Sequence, residues 1–213
     1  MYIPLPLKCP NCGEPRTQRV HLNDPIADFI CENCKSNCTG IPSLDVTIGD
    51  LILARSYSEL NVEKDYDMAI VLAAMAFECE LSRLYCKWKE VEALNTGTFD
   101  LEKNEEELRK MGSVAEKIIK ISAFVCDGGI EAFAAASDKW KMTISNDSPT
   151  LHLGSLATDF QRAVFWPRNK VLHRGNASHT RDEAAKCYSI AWLGIQVLKE
   201  MDKAKLAVFE GRH

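Results

Sequence analysis

The sequence predicts a mainly helical protein, in which a bundle of four to five helices follows a small cysteine-rich ribbon. Five of the nine cysteines lie within the first 38 of the 213 residues. From about residue 50 onward, apolar residues recur with a period close to 3.6, which is typical of amphipathic helices. With 46% apolar and 26% charged residues, the composition is that of a globular domain with a hydrophobic core.

The first 45 residues are the predicted ribbon, and its cysteines are spaced as in a structural zinc site. They form two C-x2-C pairs separated by 18 residues: Cys9, Cys12, Cys31 and Cys34. Each pair turns two thiolates toward one point, and four thiolates complete the tetrahedral shell that Zn²⁺ prefers. Because this shell leaves no open position for a substrate, we expect the zinc to be structural and not catalytic.

The chain between the two cysteine pairs is expected to form a hairpin. Residues 17–22 and 28–30 alternate enough between apolar and polar side chains to be its strands, with a turn at residues 23–25. Cys38 is a fifth thiol, which either stays free or replaces Cys34 as a ligand. A ribbon of this size has little core, so metal binding should provide most of its folding free energy.

Residues 50–213 are the predicted helical domain. The apolar pattern predicts helices over residues 65–94, 108–119 and 129–142, a fourth that opens at Ser148-Pro149, and a last helix from Thr180 to about Phe209. Pro167 is expected to end or kink the fourth helix, before a short helical turn that stops at Gly175. Thr180 and Glu183 have the T-x-x-E spacing of a capping box. No strand is predicted in this domain.

Charge and hydropathy exclude several function classes. The net charge of −4 is unlike the strongly basic surface of a histone-like nucleic-acid binder. The longest apolar run covers residues 68–77, whereas a membrane-spanning helix needs about 20 apolar residues, so no membrane association is expected. The odd and unevenly distributed cysteines are unlike a disulfide framework and predict a cytoplasmic protein.

A basic segment near the C-terminal end is the most informative part of the helical domain. No acidic residue occurs between residues 160 and 181. The arginines and lysines of the segment are interleaved with Phe165 and Trp166: Arg162, Arg168, Lys170, Arg174 and Arg181. The charges by themselves are also consistent with a solvated loop, whose positive side chains balance the negative charge of the acidic run near residue 105. Because cationic side chains neutralise phosphates, Arg162, Lys170, Arg174 and Arg181 are candidate contacts for the phosphates of a nucleic acid such as RNA.

Within this segment, Arg168, Asn169 and His173 are candidate catalytic residues. Asn169 and His173 are four residues apart and would share one face of a helix. Arg168 and His173 are five residues apart, which separates them by about 140° around a helix axis. A straight helix therefore does not aim both side chains at one substrate. Either the turn is distorted or a second copy of the chain completes the site.

This pattern resembles the HEPN superfamily, the higher eukaryote and prokaryote nucleotide-binding domains. Their motif is R-x4-6-H with a polar residue after the arginine, between the last helices of an all-helical domain. Here Arg168 and an asparagine are followed by His173. The segment AAMAFECELSRLY is similar to an early helix of the family, in which an acidic residue such as Glu78 faces the site. The resemblance covers roughly residues 60–209, and Arg174 departs from it because many members have glycine directly after the histidine.

The resemblance implies a metal-independent endoribonuclease that is active as a homodimer with two motifs in one cleft. RNA supplies its own nucleophile, the 2′-OH, so the products would carry 2′,3′-cyclic phosphates. His173 would act as general acid and base, and Arg168 would stabilise the charged transition state. Asn169 would orient the histidine or a phosphate oxygen, and Glu78 would hold the arginine. Because many members act in toxin or antiviral defence systems, the resemblance also implies an antitoxin or regulatory protein as partner.

Two other functions are consistent with the sequence. One is a non-catalytic module of HEPN type that binds RNA or a protein. The other is a regulatory subunit of a larger nucleotide-handling complex. RNA cleavage by the purified chain separates the enzyme from both.

Overall fold

The chain is mainly helical after a small N-terminal unit that contains strands and a cysteine cluster, as the sequence predicts. The computed structural model describes residues 2–9, 11–12, 15–21, 27–40, 47–96, 100–147, 150–174 and 178–211. Within these ranges, every helix is too short or too polar to cross a membrane.

Each C-x2-C pair of the N-terminal unit lies between the two strands of its own hairpin. β1 (Tyr2–Lys8) pairs antiparallel with β2 (Pro15–His21), and β3 (Ala27–Ile30) pairs antiparallel with β4 (Asn37–Gly40). The predicted pairing of residues 17–22 with residues 28–30 is therefore wrong. The tight turn at each C-x2-C pair reverses the chain, so the strands on its two sides run antiparallel beside each other. The predicted turn at residues 23–25 lies outside the described residues.

The described part of the helical domain contains nine α-helices and two π-helical turns. They are α1 (Ile48–Ser58), a first π turn (Glu59–Glu63), α2 (Tyr66–Thr96), α3 (Leu101–Lys110), α4 (Val114–Val125), α5 (Gly129–Ala136), α6 (Asp138–Asp147), α7 (Leu156–Phe160), a second π turn (Gln161–Phe165), α8 (Trp166–Arg174) and α9 (Arg181–Glu210). Both hydrogen bonds of the capping box predicted for Thr180 and Glu183 are present. An equivalent box at Thr47 and Asp50 starts α1.

The core is built on α2 and α9, which have 31 and 30 residues and pack against each other. α1, α4, α5 and α7 pack around this pair. The fully buried ring of Phe77 lies 5.2 Å from the ring of Phe160 and 5.7 Å from that of Phe165, measured between centroids. Gly194 lets α9 pass close to Phe77, because a Cβ at this position would lie 2.7 Å from the ring.

The middle helices are shorter than the sequence predicts. The segment predicted as one helix over residues 108–119 belongs to two helices, because Met111 is extended and Ser113 caps a new helix. The helix predicted over residues 129–142 breaks at Ser137, which is extended and whose hydroxyl accepts a hydrogen bond from the backbone of Trp140. Local side-chain hydrogen bonds thus interrupt a periodic apolar pattern that reads as continuous.

The helix predicted to open at Ser148-Pro149 begins at Leu156, and the two predicted opening residues lie outside the described part of the chain. It then continues through Pro167 by way of the second π turn. The N–H of Trp166 donates to the carbonyl of Gln161, five residues earlier. In an α-helix, each N–H donates to the carbonyl four residues earlier. The wider turn relieves the contact between a proline ring and the carbonyl four residues before it. The predicted stop at Gly175 lies outside the described residues.

Candidate functional site

The four predicted metal-binding cysteines lie close enough to hold one ion. Their Sγ atoms, from Cys9, Cys12, Cys31 and Cys34, are all within 4.8 Å of one another. Cys9 Sγ is 3.6 Å from Cys34 Sγ, and Cys12 Sγ is 3.6 Å from Cys31 Sγ. A tetrahedral Zn²⁺ with Zn–S bonds of about 2.3 Å spaces its sulfurs by about 3.8 Å, whereas a disulfide needs about 2.05 Å. The spacing fits a four-thiolate metal site; the identity of the ion as zinc stays a prediction.

Local hydrogen bonds shape the second cysteine pair. Cys31 N–H donates to the Ser36 carbonyl at 3.0 Å, and Lys35 N–H donates to the Cys31 carbonyl at 2.8 Å. Hydrogen bonds with the side chain and backbone of Ser36 lower the pKa of the Cys34 thiol, which favours the thiolate that binds metals. Cys38 lies in β4, and its side chain is outside what the structure describes.

Arg168 lies on α8 and is held by two neighbours. Its Nη2 donates to Glu78 Oε2 on α2 at 3.1 Å, and its Nη1 donates to Asn169 Oδ1 at 3.2 Å. The side chain is 24% exposed, and its Nε is buried with no hydrogen-bond partner. The guanidinium is therefore fixed in direction, with one edge toward Glu78 and part of the group still open to solvent.

A second carboxylate on α2, that of Asp67, holds the chain near the other end of the basic segment. His179 Nδ1 lies 2.7 Å from Asp67 Oδ1, and the backbone N–H of His179 donates to the same oxygen at 3.1 Å. Asp67 and Glu78 are eleven residues apart, so they share one face of α2 about three turns apart. Sequence reasoning missed the Asp67–His179 pair. The three-turn spacing of the two carboxylates was the available signal.

His173 lies on the exposed surface of α8, away from Arg168. No hydrogen bond joins the two side chains in the described part of the chain, in keeping with their angular separation of about 140°. Asn169, beside Arg168, is also exposed. A single chain therefore presents the imidazole and the guanidinium on different sides of α8.

Three of the four residues predicted to contact RNA have exposed side chains. Arg162, Lys170 and Arg181 are exposed, and the side chain of Arg174 is outside what the structure describes. Phe165 is buried, whereas Trp166 is 52% exposed, so only one of the two interleaved aromatic rings is available to a ligand. An exposed imidazole among cations suits proton transfer near a phosphate.

The cysteines of the helical domain do not offer a nucleophile. Burial raises the pKa of the Cys187 thiol to about 12, and its sulfur faces the Val164 carbonyl at 3.8 Å. Burial likewise raises the pKa of Cys79, Cys86 and Cys126. These thiols are protonated at neutral pH and contribute to packing.

Comparisons of the chain with protein-family models, with curated proteins and with solved structures found no match.

Proposed function

We propose that this protein is a metal-independent endoribonuclease of HEPN type, which cleaves RNA by attack of the 2′-OH on the adjacent phosphate. The observation that carries the proposal is the arrangement on α8. Arg168 is fixed by Glu78 and Asn169, and an exposed histidine, His173, follows within two turns. The guanidinium would stabilise the charge that develops on the phosphate, and the imidazole would move the proton of the 2′-OH or of the leaving oxygen.

We further propose that the catalytic unit is a homodimer. Because Arg168 and His173 point to different sides of α8, one chain does not bring both groups to one phosphate. In a two-fold arrangement, the arginine of one copy and the histidine of the other meet in a shared cleft. The ion bound by the N-terminal cysteines, which we propose to be zinc, takes no part in the reaction because its four thiolate ligands leave no open position.

Cleavage without a catalytic metal tests the proposal. Purified protein is incubated with end-labelled RNA in EDTA, and the protein-bound zinc is measured in parallel. We expect fragments that end in 2′,3′-cyclic phosphate. His173→Ala and Arg168→Ala should each lower the rate by about a hundredfold or more. His152→Ala is the matched control, since this histidine is also exposed but bonds to Asp159 and lies outside the basic segment. Equal loss in all three variants would contradict the assignment.

Mixing the two inactive variants tests the shared cleft. A heterodimer of the His173→Ala and Arg168→Ala chains has one composite site with both wild-type groups. We expect the mixture to recover a measurable part of the cleavage activity that neither variant has alone. A mixture as inactive as its components, with heterodimers present, would exclude a site built from two chains.

A second function, RNA binding without cleavage, is favoured by the divergence of Arg168 and His173 within one chain. Wild-type protein that binds RNA but leaves it intact would establish this alternative. In that case, Arg162→Ala and Lys170→Ala should each remove about one phosphate contact, and each should lower the slope of log K against log salt concentration by about one.

A toxin or defence setting, and an antitoxin partner, stay predictions of the resemblance.

A further inference from the structure

Trp166 is a large apolar side chain left in solvent on the outer face of α8. It is 52% exposed, while the preceding Phe165 is 1% exposed. A tryptophan offers about 150–250 Å² of mainly apolar surface, most of which folding normally removes from water. A single exposed aromatic residue is common on proteins and needs no function by itself. Its neighbours decide whether this one is a binding element.

Cationic side chains flank Trp166, one in the second π turn and one on α8. The guanidinium of Arg162 lies over the indole ring, 6.0 Å from its centre, and exposed Lys170 follows one helical turn after Trp166. His173 lies one further turn along the same face, about 10 Å from Trp166 along the helix axis. No acidic residue occurs in α8 or in the π turn before it. Trp166 is therefore an aromatic surface bordered by positive charge and adjacent to the candidate catalytic histidine.

Trp192 shows that exposure alone does not create this arrangement. It lies on α9 and is 47% exposed, close to the value for Trp166. One turn before and one turn after it are Tyr188 and Gln196, neither of which is charged. Trp192 thus has the same chemistry and a similar exposure without a cation one turn to either side on its helix, and it serves as an internal control.

We propose that Trp166 is a stacking platform for an unpaired base of single-stranded RNA, with Arg162 and Lys170 on the flanking phosphates. The inference rests on the proposed action on RNA and names its substrate class. An aromatic ring stacks on the face of any base, and cations beside it bind the backbone, which is how single strands are held without base-specific readout. In a duplex these faces are already stacked on neighbouring bases. A strand held in this way passes His173. Because stacking on Trp166 requires an unpaired base, the reaction would be directed to unpaired segments of the RNA.

Binding to a strand that is not cleaved provides the test. The probe is a fluorescein-labelled 2′-O-methyl RNA of twelve nucleotides, which lacks the free 2′-OH, used alone and annealed to its complement. We expect tighter binding of the single strand by the wild-type protein. Trp166→Ala should weaken that binding about tenfold, Trp166→Phe should retain most of it, and Trp192→Ala should change it less than about twofold.

Intrinsic fluorescence gives a second measurement that does not depend on the folding of an alanine variant. Trp88 and Trp140 are each 2% exposed, so the solvent-accessible signal comes from Trp166 and Trp192. The unlabelled single strand should quench the emission of the Trp192→Phe protein, which keeps Trp166. The same strand should leave the emission of the Trp166→Phe protein nearly unchanged. The opposite pattern would overturn the proposal.

The outcomes separate this inference from the proposed function. If both tryptophan variants bind the single strand as the wild type does, the platform is wrong while RNA binding stands. If Trp166→Ala loses only self-association, measured by sedimentation, the ring belongs to a protein interface and the platform is wrong. If the wild-type chain binds neither single-stranded nor duplex RNA, the platform and the proposed function both fail.

Discussion

At the scale of single residues, Arg168 is held in place at a cost in stability. Its Nε is buried without a hydrogen-bond partner, and an unsatisfied buried donor costs about 1–3 kcal/mol. Glu78 and Asn169 engage the two terminal nitrogens. A side chain that keeps an unpaired donor while its direction is fixed is consistent with a functional role for the arginine.

Gly194 is a residue whose importance arises from packing and not from backbone freedom. A Cβ here would lie 2.7 Å and 2.9 Å from ring atoms of Phe77 and 3.2 Å from the ring of Phe160. Alanine is the better helix former by about 1 kcal/mol, yet overpacking a filled core costs about 1–3 kcal/mol. We predict that Gly194→Ala lowers the free energy of unfolding by up to about 2 kcal/mol, because contacts below 3.0 Å to a buried ring place the overpacking cost toward the upper end of its range.

Urea denaturation of the wild type and Gly194→Ala measures this difference. Gly154→Ala is the matched control, because a Cβ at Gly154 would have no heavy atom within 4 Å. If Gly194→Ala were as stable as the wild type, the close approach of α9 to Phe77 would not hold in solution.

At the scale of helices, α2 makes polar contacts on two sides. On one side its carboxylates Asp67 and Glu78 hold the two ends of the basic segment. On the other side it forms a charged network with α9. Asp202 on α9 accepts hydrogen bonds from Arg83 at 3.0 Å, Lys87 at 2.7 Å and Trp88 at 2.9 Å. These contacts set how the two longest helices lie against each other.

Asp202 makes this network sensitive to acid. Burial disfavours its ionised form, but hydrogen bonds from Lys87 and Arg83 outweigh burial and hold the pKa of Asp202 below its ordinary value. The carboxyl is thus more acidic in the folded protein than in the unfolded chain. Its contribution to stability is complete above the unfolded pKa of about 3.9 and is lost as the pH falls through the lowered folded value.

We predict that Asp202→Asn lowers the free energy of unfolding by about 1–3 kcal/mol at pH 7, because it weakens three hydrogen bonds to a mostly buried group. The deficit relative to the wild type should be constant from pH 5 to 8 and should shrink below about pH 4. Urea melts across this pH range measure it. Asp138→Asn is the control, since the Asp138 side chain is 94% exposed. A deficit that grows toward low pH would contradict the direction of the pKa shift.

At the scale of the whole molecule, the two parts of the chain depend on different sources of stability. The helical domain has a continuous apolar core, whereas the N-terminal unit has two short hairpins and a cluster of thiols. Metal binding is therefore expected to supply most of the folding free energy of the N-terminal unit, but not that of the helical domain.

We predict that the purified protein binds one zinc ion per chain and that Cys31→Ser abolishes this binding while it keeps the helical circular dichroism signal. Cys79→Ser is the control, because this thiol lies on α2 outside the cluster. Metal analysis and limited proteolysis measure the outcome, with cleavage expected within residues 1–45 of the metal-free variant. Zinc retained by Cys31→Ser would exclude the four-cysteine site.

Local sequence was sufficient for the long elements and for the grouping of the four cysteines. The apolar period extends over many turns in α2 and α9, and the capping residues of α9 lie three positions apart, so each signal is contained within its own segment. The two C-x2-C pairs are likewise recognisable from spacing alone. Shorter helices were harder to predict, because single residues such as Ser113 and Ser137 end a pattern that otherwise continues.

By itself, the sequence determined that the chain is mainly helical, that four cysteines lie together near its start, and that a basic segment precedes the last helix. Only the tertiary structure decided which strands pair and how the chain passes Pro167. It also placed Asp67 and Glu78 against His179 and Arg168. These contacts join residues about 90 to 112 positions apart. Their existence depends on how helices pack, and no local pattern of residues specifies that.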